Sequence, residues 1–281
     1  MSGALQLGPF TLPWQLLVVL AAVATSSFVG HRLARRAGLD VDPQLFRLLL
    51  VAVIVARLAF VFLYFDAYRS SPLGILDIRD GGWRPLPGLL AAWLYALWSG
   101  YRSRPLRLPV WSALGSATLV WLAGSLAILS MSPVNTPLPS ISLSALDGRQ
   151  VSLQQFEGKP TVVNLWATWC PPCRREMPVL AQAQADHPDV HFVFLNQGEA
   201  PEKVDKFLAG ERLTLHNVLL DRQGRASGEF GQRALPTTLF FDVRGHLVDT
   251  RIGEVSLATL TERLHAIGVS MPSIHTMTNA P

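Results

Sequence analysis

Apolar residues follow two regimes along this chain. Up to residue 131 they gather in long runs. Met1 to Gly30 carries no charged side chain, and "WQLLVVLAAVATSSFVG" (14–30), "LFRLLLVAVIVARLAFVFLYF" (45–65) and "LPVWSALGSATLVWLAGSLAILSM" (108–131) approach or reach bilayer-crossing length. A shorter run, "LPGLLAAWLYALWSGY" (86–101), opens with Pro87 and holds Trp93, Tyr95, Trp98 and Tyr101, which suit an interfacial or re-entrant segment as well as a span. The pattern therefore predicts about four spans over residues 1–131. Beyond residue 140 the apolar stretches shorten to strand and helix length and alternate with polar ones.

Between the regimes lies "SPVNTPLPS" (132–140), read as a short extended tether, with 132–138 as the linker proper. After it, "ISLSALDGRQVSL" (141–153) alternates around an Asp-Gly turn and predicts a hairpin. "PTVVNLWAT" (160–168) predicts a buried strand, residues 173–187 a helix kinked at Pro178, and "VHFVFLN" (190–196) a strand. "PEKVDKFLAG" (201–210) predicts a helix, residues 238–253 two strands around Arg244-Gly245, and 256–268 a final amphipathic helix. Strands alternating with helices and ending in a hairpin imply an α/β domain over 139–268, with 269–281 as a loose tail.

Composition supports the division. The chain is 49% hydrophobic and only 16% charged, with a mean hydropathy of +0.29. Residues 1–131 hold 11 Arg and 5 Asp, net +6, while residues 132–281 hold 13 Lys and Arg against 15 Asp and Glu, net −2. The arginines sit between apolar runs rather than in a stripe with aromatics, which argues against nucleic-acid binding. Arg32, Arg35 and Arg36 follow the first run instead of preceding it, which argues against a cleaved signal peptide despite the small residues Ala22-Val23-Ala24.

Charge also orients the spans. Loop 32–47 has four arginines and loop 102–107 has three, so both are expected on the cytoplasmic side, whereas loop 66–85 balances three arginines with three aspartates. Four spans then place residues 132 onward outside, where disulfide chemistry is routine. Arg57, inside the second run, is expected to form a structural ion pair, with Asp66 as a candidate partner.

Candidate chemistry centres on "WATWCPPCRREMP" (166–178), which holds both cysteines of the chain. A CxxC between a buried strand and a helix puts Cys170 at the helix N-terminus, where unpaired N–H groups and the helix dipole favour thiolate. Cys170 is thus the expected nucleophile, and Cys173, one turn on, the resolving thiol. A zinc site would need two further ligands, and His187, His191 and His216 lack zinc-finger spacing, so no metal is expected. Pro171 and Pro172 have no N–H, leaving Cys170 to rely on the Cys173 N–H and the dipole, which favours a reducing pair; Arg174 and Arg175 act in the opposite sense.

These residues resemble the TlpA/ResA-like extracytoplasmic thiol:disulfide reductases of the thioredoxin superfamily. The likeness runs through "LDGRQVSLQQFEGKPTVVNLWATWCPPCRREMP", "FVFLNQGE" and "VLLDRQGRASGEFGQRALPTTLFFDVRGHLV". It implies a thioredoxin-like α/β domain behind a helical membrane bundle, in a bacterial inner membrane with the domain on the periplasmic side. It also implies that Leu235-Pro236 is a cis-proline dipeptide facing the CxxC, and that Cys170, Cys173, Glu176 and Pro236 carry the reaction. Trp169, Pro171, Pro172, Leu235 and Thr237 are the expected substrate contacts. Glu176 would manage the proton of the buried resolving thiol, the alternative being a salt-bridged helix acid, and Asn164 stands where cytoplasmic thioredoxins have an aspartate.

The implied function is reduction of disulfides in extracytoplasmic proteins, with oxidase and isomerase variants open and with no cofactor beyond the Cys170–Cys173 pair. No cysteine precedes Cys170, so the bundle cannot relay electrons by thiol exchange, and a separate transmembrane thiol-reducing carrier is expected as partner, alongside the lipid bilayer. Residues 56–92 resemble the early region of prolipoprotein diacylglyceryl transferases. Gly81-Gly82 is present there, but "PLPGL" (85–89) stands in place of that family's histidine motif. This leaves a lipid- or partner-binding module with an accessory redox domain as the other class of function. A reporter active only in the cytoplasm, fused after Ser132, is expected to stay dark; activity there would reverse the orientation.

Overall fold

The computed structural model describes residues 4–7, 10–69, 72–131, 136–232 and 234–269. They form two compact units, one on each side of residue 132 but for a few residues.

In the first unit a short antiparallel pair, β1 (Ala4–Leu7) and β2 (Phe10–Pro13), leads into α1 (Trp14–Arg36). α2 (Asp42–Leu63), the single turn α3 (Phe65–Arg69), α4 (Pro85–Arg102) and α5 (Arg107–Met131) follow. Three helical stretches, Trp14–Arg36, Asp42–Leu63 and Arg104–Ser130, are long and apolar enough to cross a membrane. α4 is helical throughout, but its 18 residues rise only about 27 Å, just short of a hydrocarbon core of about 30 Å.

α4 packs through a stripe of small residues. Gly88, Ala92, Ala96 and Gly100 recur every fourth position and are all buried. A side chain at Gly88 would meet the Ala52 carbonyl oxygen at 2.4 Å, so α2 and α4 touch nearly backbone to backbone. Farther along, the Trp111 indole N–H donates to the Ala96 carbonyl at 3.1 Å.

Arg57 is 7% exposed, and its guanidinium donates to four backbone carbonyls: Ile75, Gly82, Gly74 and Asp77, at 2.8 to 3.0 Å. The rings of Phe60, Tyr68 and Trp83 surround it. Asp66, the anticipated partner, lies instead 3.7 Å from Arg69. The buried cation is satisfied by carbonyls of the loop that follows α3.

The second unit is a seven-stranded sheet. Its strands are β3 (Ser142–Ala145), β4 (Gln150–Ser152), β5 (Thr161–Trp166), β6 (His191–Gln197), β7 (Val218–Asp221), β8 (Thr237–Phe241) and β9 (Leu247–Ile252). Their order is β4-β3-β7-β6-β5-β8-β9, with β5, β6 and β7 parallel and the flanking pairings antiparallel. The helices are α6 (Pro171–Asp186), α7 (Pro201–Gly210), α8 (Arg225–Glu229) and α9 (Leu257–Ala266).

Strand alternation sorts the central strands into two cores. Val162, Trp166, Phe192 and Phe194 pack with Met177 and Leu180 of α6 and Leu260 and Leu264 of α9. Val163, Leu165, Val193 and Leu195 pack on the other face with Leu138, Leu153 and Phe156. Both faces are covered, which is why β5 and β6 are nearly continuous apolar runs. The same alternation sends Asn164, between Val163 and Leu165, toward the α6 side.

The expected elements are present, and α6 runs through Pro178. β7 and α8 were not anticipated as elements. Both domain edges also shift. The α/β domain begins before 139: Pro137 bridges His246, Leu138 N–H donates to the Gly245 carbonyl, and Leu138 is buried, so 136–138 belong to the sheet edge rather than to the tether. Of the expected tail, Val269 is packed into the core, and 270–281 lie outside the described residues, as do 132–135 of the tether.

Gly88→Val is expected to destabilise the bundle by about 1–3 kcal/mol through overpacking against α2. Gly115→Ala, where nothing lies within 4 Å, should be neutral or better. Denaturant titration in detergent micelles compares the two.

Candidate active site

β5 ends at Trp166 and α6 begins at Pro171, so the redox loop occupies the carboxyl end of a central parallel strand. Cys170 is the N-cap of α6 in extended conformation, its sulfur accepting from the Cys173 N–H at 3.3 Å. Pro171 and Pro172 fill the first two helical positions, where a missing N–H costs nothing to the helix but removes two donors from the sulfur. Cys170 and Cys173 are joined in a disulfide and both are buried. Beside them Trp169 is 63% exposed.

Arg174 and Arg175 are each tied to a carboxylate, Arg174 to Glu211 at 2.7 Å and Arg175 to Glu254 at 2.6 Å. Their pull on the Cys170 thiolate is therefore partly neutralised, which favours the effect of the prolines.

Glu176 lies one turn after Cys173 on the same helix face. It is fully buried, and its partners are amides rather than a cation: Oε1 accepts from Asn164 Nδ2 at 2.8 Å and Oε2 from the Val255 N–H at 2.9 Å. Burial pushes its carboxyl up to about 8, outweighing those two hydrogen bonds. At neutral pH the group is mostly protonated. Asn164 Oδ1 has no partner as placed, and turning that amide over would let the neutral carboxyl donate to it.

Leu235-Pro236 is cis, with Pro236 buried and Leu235 half-buried. Thr237, expected among the substrate contacts, has no exposed surface, and its hydroxyl donates to the Ala234 carbonyl at 2.8 Å. In this oxidised state its side chain braces the proline loop instead of facing solvent. Pro171 is exposed and Pro172 half-buried, so of the expected contact residues Trp169 and Pro171 stand farthest out.

One charged residue escaped the sequence reading. Glu199 lies just after β6 and contacts the redox loop through Thr168. Its signal was only an acid two residues before a helix-opening proline, within a motif already noted as "FVFLNQGE". Thr168 also lines an open cleft of about 400 Å³ with Lys203, Lys206, Phe207, Gly210 and Glu211. Among the described residues no group of three or more His, Cys, Asp or Glu side chains is placed to hold a metal.

Comparison with known proteins places these features in context. The family model described as Redoxin matches residues 133–264, and that described as Prolipoprotein diacylglyceryl transferase matches residues 2–128. Thioredoxin-like protein YneN of Bacillus subtilis (strain 168) is 32% identical over 129 residues, covering 45% of this chain and 75% of that protein. Thiol-disulfide oxidoreductase ResA of Geobacillus thermodenitrificans (strain NG80-2) is 32% identical over 136 residues, covering 48% of this chain and 78% of that protein. A crystal structure of a thiol:disulfide interchange protein of the thioredoxin family from Chlorobium tepidum TLS is 29% identical, covers 48% of this chain and 97% of its own, and gives a TM-score of 0.43.

The raised Glu176 carboxyl has a consequence for stability. The folded protein holds this proton where the unfolded chain releases it, so stability falls as pH rises from about 4.5 to about 8. Glu176→Gln removes the titration. Relative to wild type, the stability of the oxidised variant should therefore improve progressively between about pH 4.5 and about pH 8, by an amount on the order of a few kcal/mol, read from the pH dependence of the difference in Tm. A pH-independent difference would contradict the raised value.

Proposed function

The chain belongs to the redoxin family of thioredoxin-like thiol-disulfide oxidoreductases, and from that premise we propose that it reduces disulfides in extracytoplasmic proteins from a membrane tether. The observation that carries this reading is the pairing of an N-cap cysteine, stripped of two donors by Pro171-Pro172, with a buried proton-bearing acid one turn behind Cys173.

In the reduced protein the Cys170 thiolate attacks a substrate sulfur. A mixed disulfide forms and the first substrate sulfur leaves as a thiolate that takes a proton from water. Cys173 then gives its proton to Glu176 in its carboxylate form, the minor one at neutral pH, and attacks Cys170 Sγ, releasing the second substrate sulfur as a thiolate and closing the Cys170–Cys173 bond. Two electrons pass to the substrate. Burial brings the Glu176 carboxyl up toward the usual range of thiols, which suits it to exchange a proton with Cys173 in either direction. Re-reduction runs the same steps backwards with an external dithiol as donor, and Glu176 returns the proton to Cys173.

That donor is a transmembrane thiol carrier in this proposal, because the chain has no cysteine outside the redox pair. The arginine-rich loops at 32–47 and 102–107 support a cytoplasmic placement of those ends of the bundle and a periplasmic domain in an inner membrane. Four spans satisfy that orientation, with α4 as the short one. Trp169 and Pro171 would meet substrate first, and the Leu235 backbone would pair with it beside Pro236.

The match over residues 2–128 favours a second reading, in which the bundle binds a lipid or partner and the redox domain guards it. Replacing both cysteines with serine separates the two: the module reading requires that the doubly substituted chain still rescue a deletion phenotype, and the reductase reading requires that it fail.

The reductase reading predicts that the full chain, equilibrated with glutathione and followed by tryptophan fluorescence, has a potential near thioredoxin's, about −270 mV. A value near −120 mV would make it an oxidant. Cys173→Ser should accumulate a mixed disulfide at Cys170, and Cys170→Ser should form none.

A further inference from the structure

Glu199 takes no part in the steps above, yet its carboxylate has four partners. Oε2 accepts from the Thr168 N–H at 2.6 Å and from Asn196 Nδ2 at 2.9 Å. Oε1 accepts from the Thr168 hydroxyl at 2.6 Å and pairs with Lys203 Nζ at 2.7 Å. The side chain is 4% exposed. Burial alone would raise its pKa, but the bonds from Lys203, Thr168 and Asn196 together outweigh burial and hold the carboxyl below the usual range. It is ionised at neutral pH, in contrast to Glu176.

The geometry of this clamp is specific. Both polar groups of Thr168, backbone and side chain, are held by the two oxygens of one carboxylate, which fixes the residue's backbone and its χ1 together. The carboxylate is itself fixed from two directions, by Asn196 in β6 and by Lys203 in the first turn of α7. Thr168 stands two residues before Cys170. Between them comes Trp169, which is 63% exposed and so has most of its surface uncovered. Position in this segment must therefore be imposed by its neighbours, and charge-assisted bonds of 2.6 Å at Thr168 are suited to impose it.

We propose that Glu199 is a positioning residue for disulfide exchange, acting through Thr168 to hold Trp169 and Cys170 in the orientation that a protein disulfide meets. The proposal rests on the thiol-disulfide exchange reading. A purely structural glutamate would contribute to stability and leave the exchange rate alone; a positioning residue affects the rate even where the fold is kept.

The test uses the full chain in detergent, reduced, with a synthetic peptide pair linked by one disulfide as probe. Thr168→Val keeps the shape and the N–H but deletes the hydroxyl donor to Oε1; Thr168→Ser keeps both donors; Glu199→Gln halves the clamp. Thr168→Val and Glu199→Gln are expected to lower the second-order rate at least about tenfold with an unchanged circular dichroism spectrum, and Thr168→Ser to restore it. Thr168→Val that folds and exchanges at the wild-type rate overturns the proposal. Unfolding of both Thr168→Val and Glu199→Gln likewise assigns Glu199 to stability alone. A wild-type chain that does not react with the probe at all refutes the exchange reading itself, not the clamp.

Discussion

Removing one carboxyl group from water conditions the rest of the redox site. Glu176 sits on α6 where β5 sends Asn164 toward the helix layer, and the two meet in a space with no access to solvent. In that space a bare carboxylate is expensive and two amide donors do not compensate, so the group keeps its proton to about pH 8. The helix N-terminus favours thiolate at Cys170, while the neutral acid lies one turn behind the thiol that must lose its proton later. A single helix thus separates the two sulfurs by electrostatic environment although they are three residues apart.

Glu199 shows the opposite solution with the same functional group. It too is buried, but a lysine and three hydrogen bonds keep it charged. Two carboxylates near one loop therefore have separate characters, one able to carry a proton near the pKa of a thiol and one a fixed anion that anchors the backbone. The membrane unit buries its polar group differently: Arg57 donates to four backbone carbonyls and is surrounded by aromatic rings.

Periodicity made most of this architecture legible. The long apolar runs, the Asp-Gly hairpin, the buried strand before the CxxC and the proline-to-glycine helix at 201–210 all carry local signals, and the structure follows them. Features that depend on distant partners did not show. β7 is only four residues, too short for alternation to be distinguished from a turn. α8 has a glycine in its five residues and is held by Asp221, which accepts from the Arg225 and Ser227 N–H groups. Residues 136–138 read as tether because prolines mark extended chain, and only the edge strand β9 turns them into sheet. Asp66 was the candidate partner of Arg57, whereas Asp66 pairs with Arg69 and Arg57 donates to four carbonyls of a loop whose turns no residue pattern announces. At the site, the cysteines were readable from their own motif and Glu176 and Pro236 from a resemblance, but the Glu199 clamp joins three segments and has no spacing of its own.

Proton transfer at the resolving thiol depends on Glu176 being a neutral acid in the oxidised protein at physiological pH. Its side-chain carboxyl can be titrated directly by carbon-13 NMR of the full oxidised chain labelled at glutamate, with the Glu176→Gln spectrum identifying the signal. A midpoint close to 8 is the predicted result. A midpoint near 4.5, the value of a solvated glutamate, would contradict it and leave Glu176 too weak a base to match the Cys173 thiol.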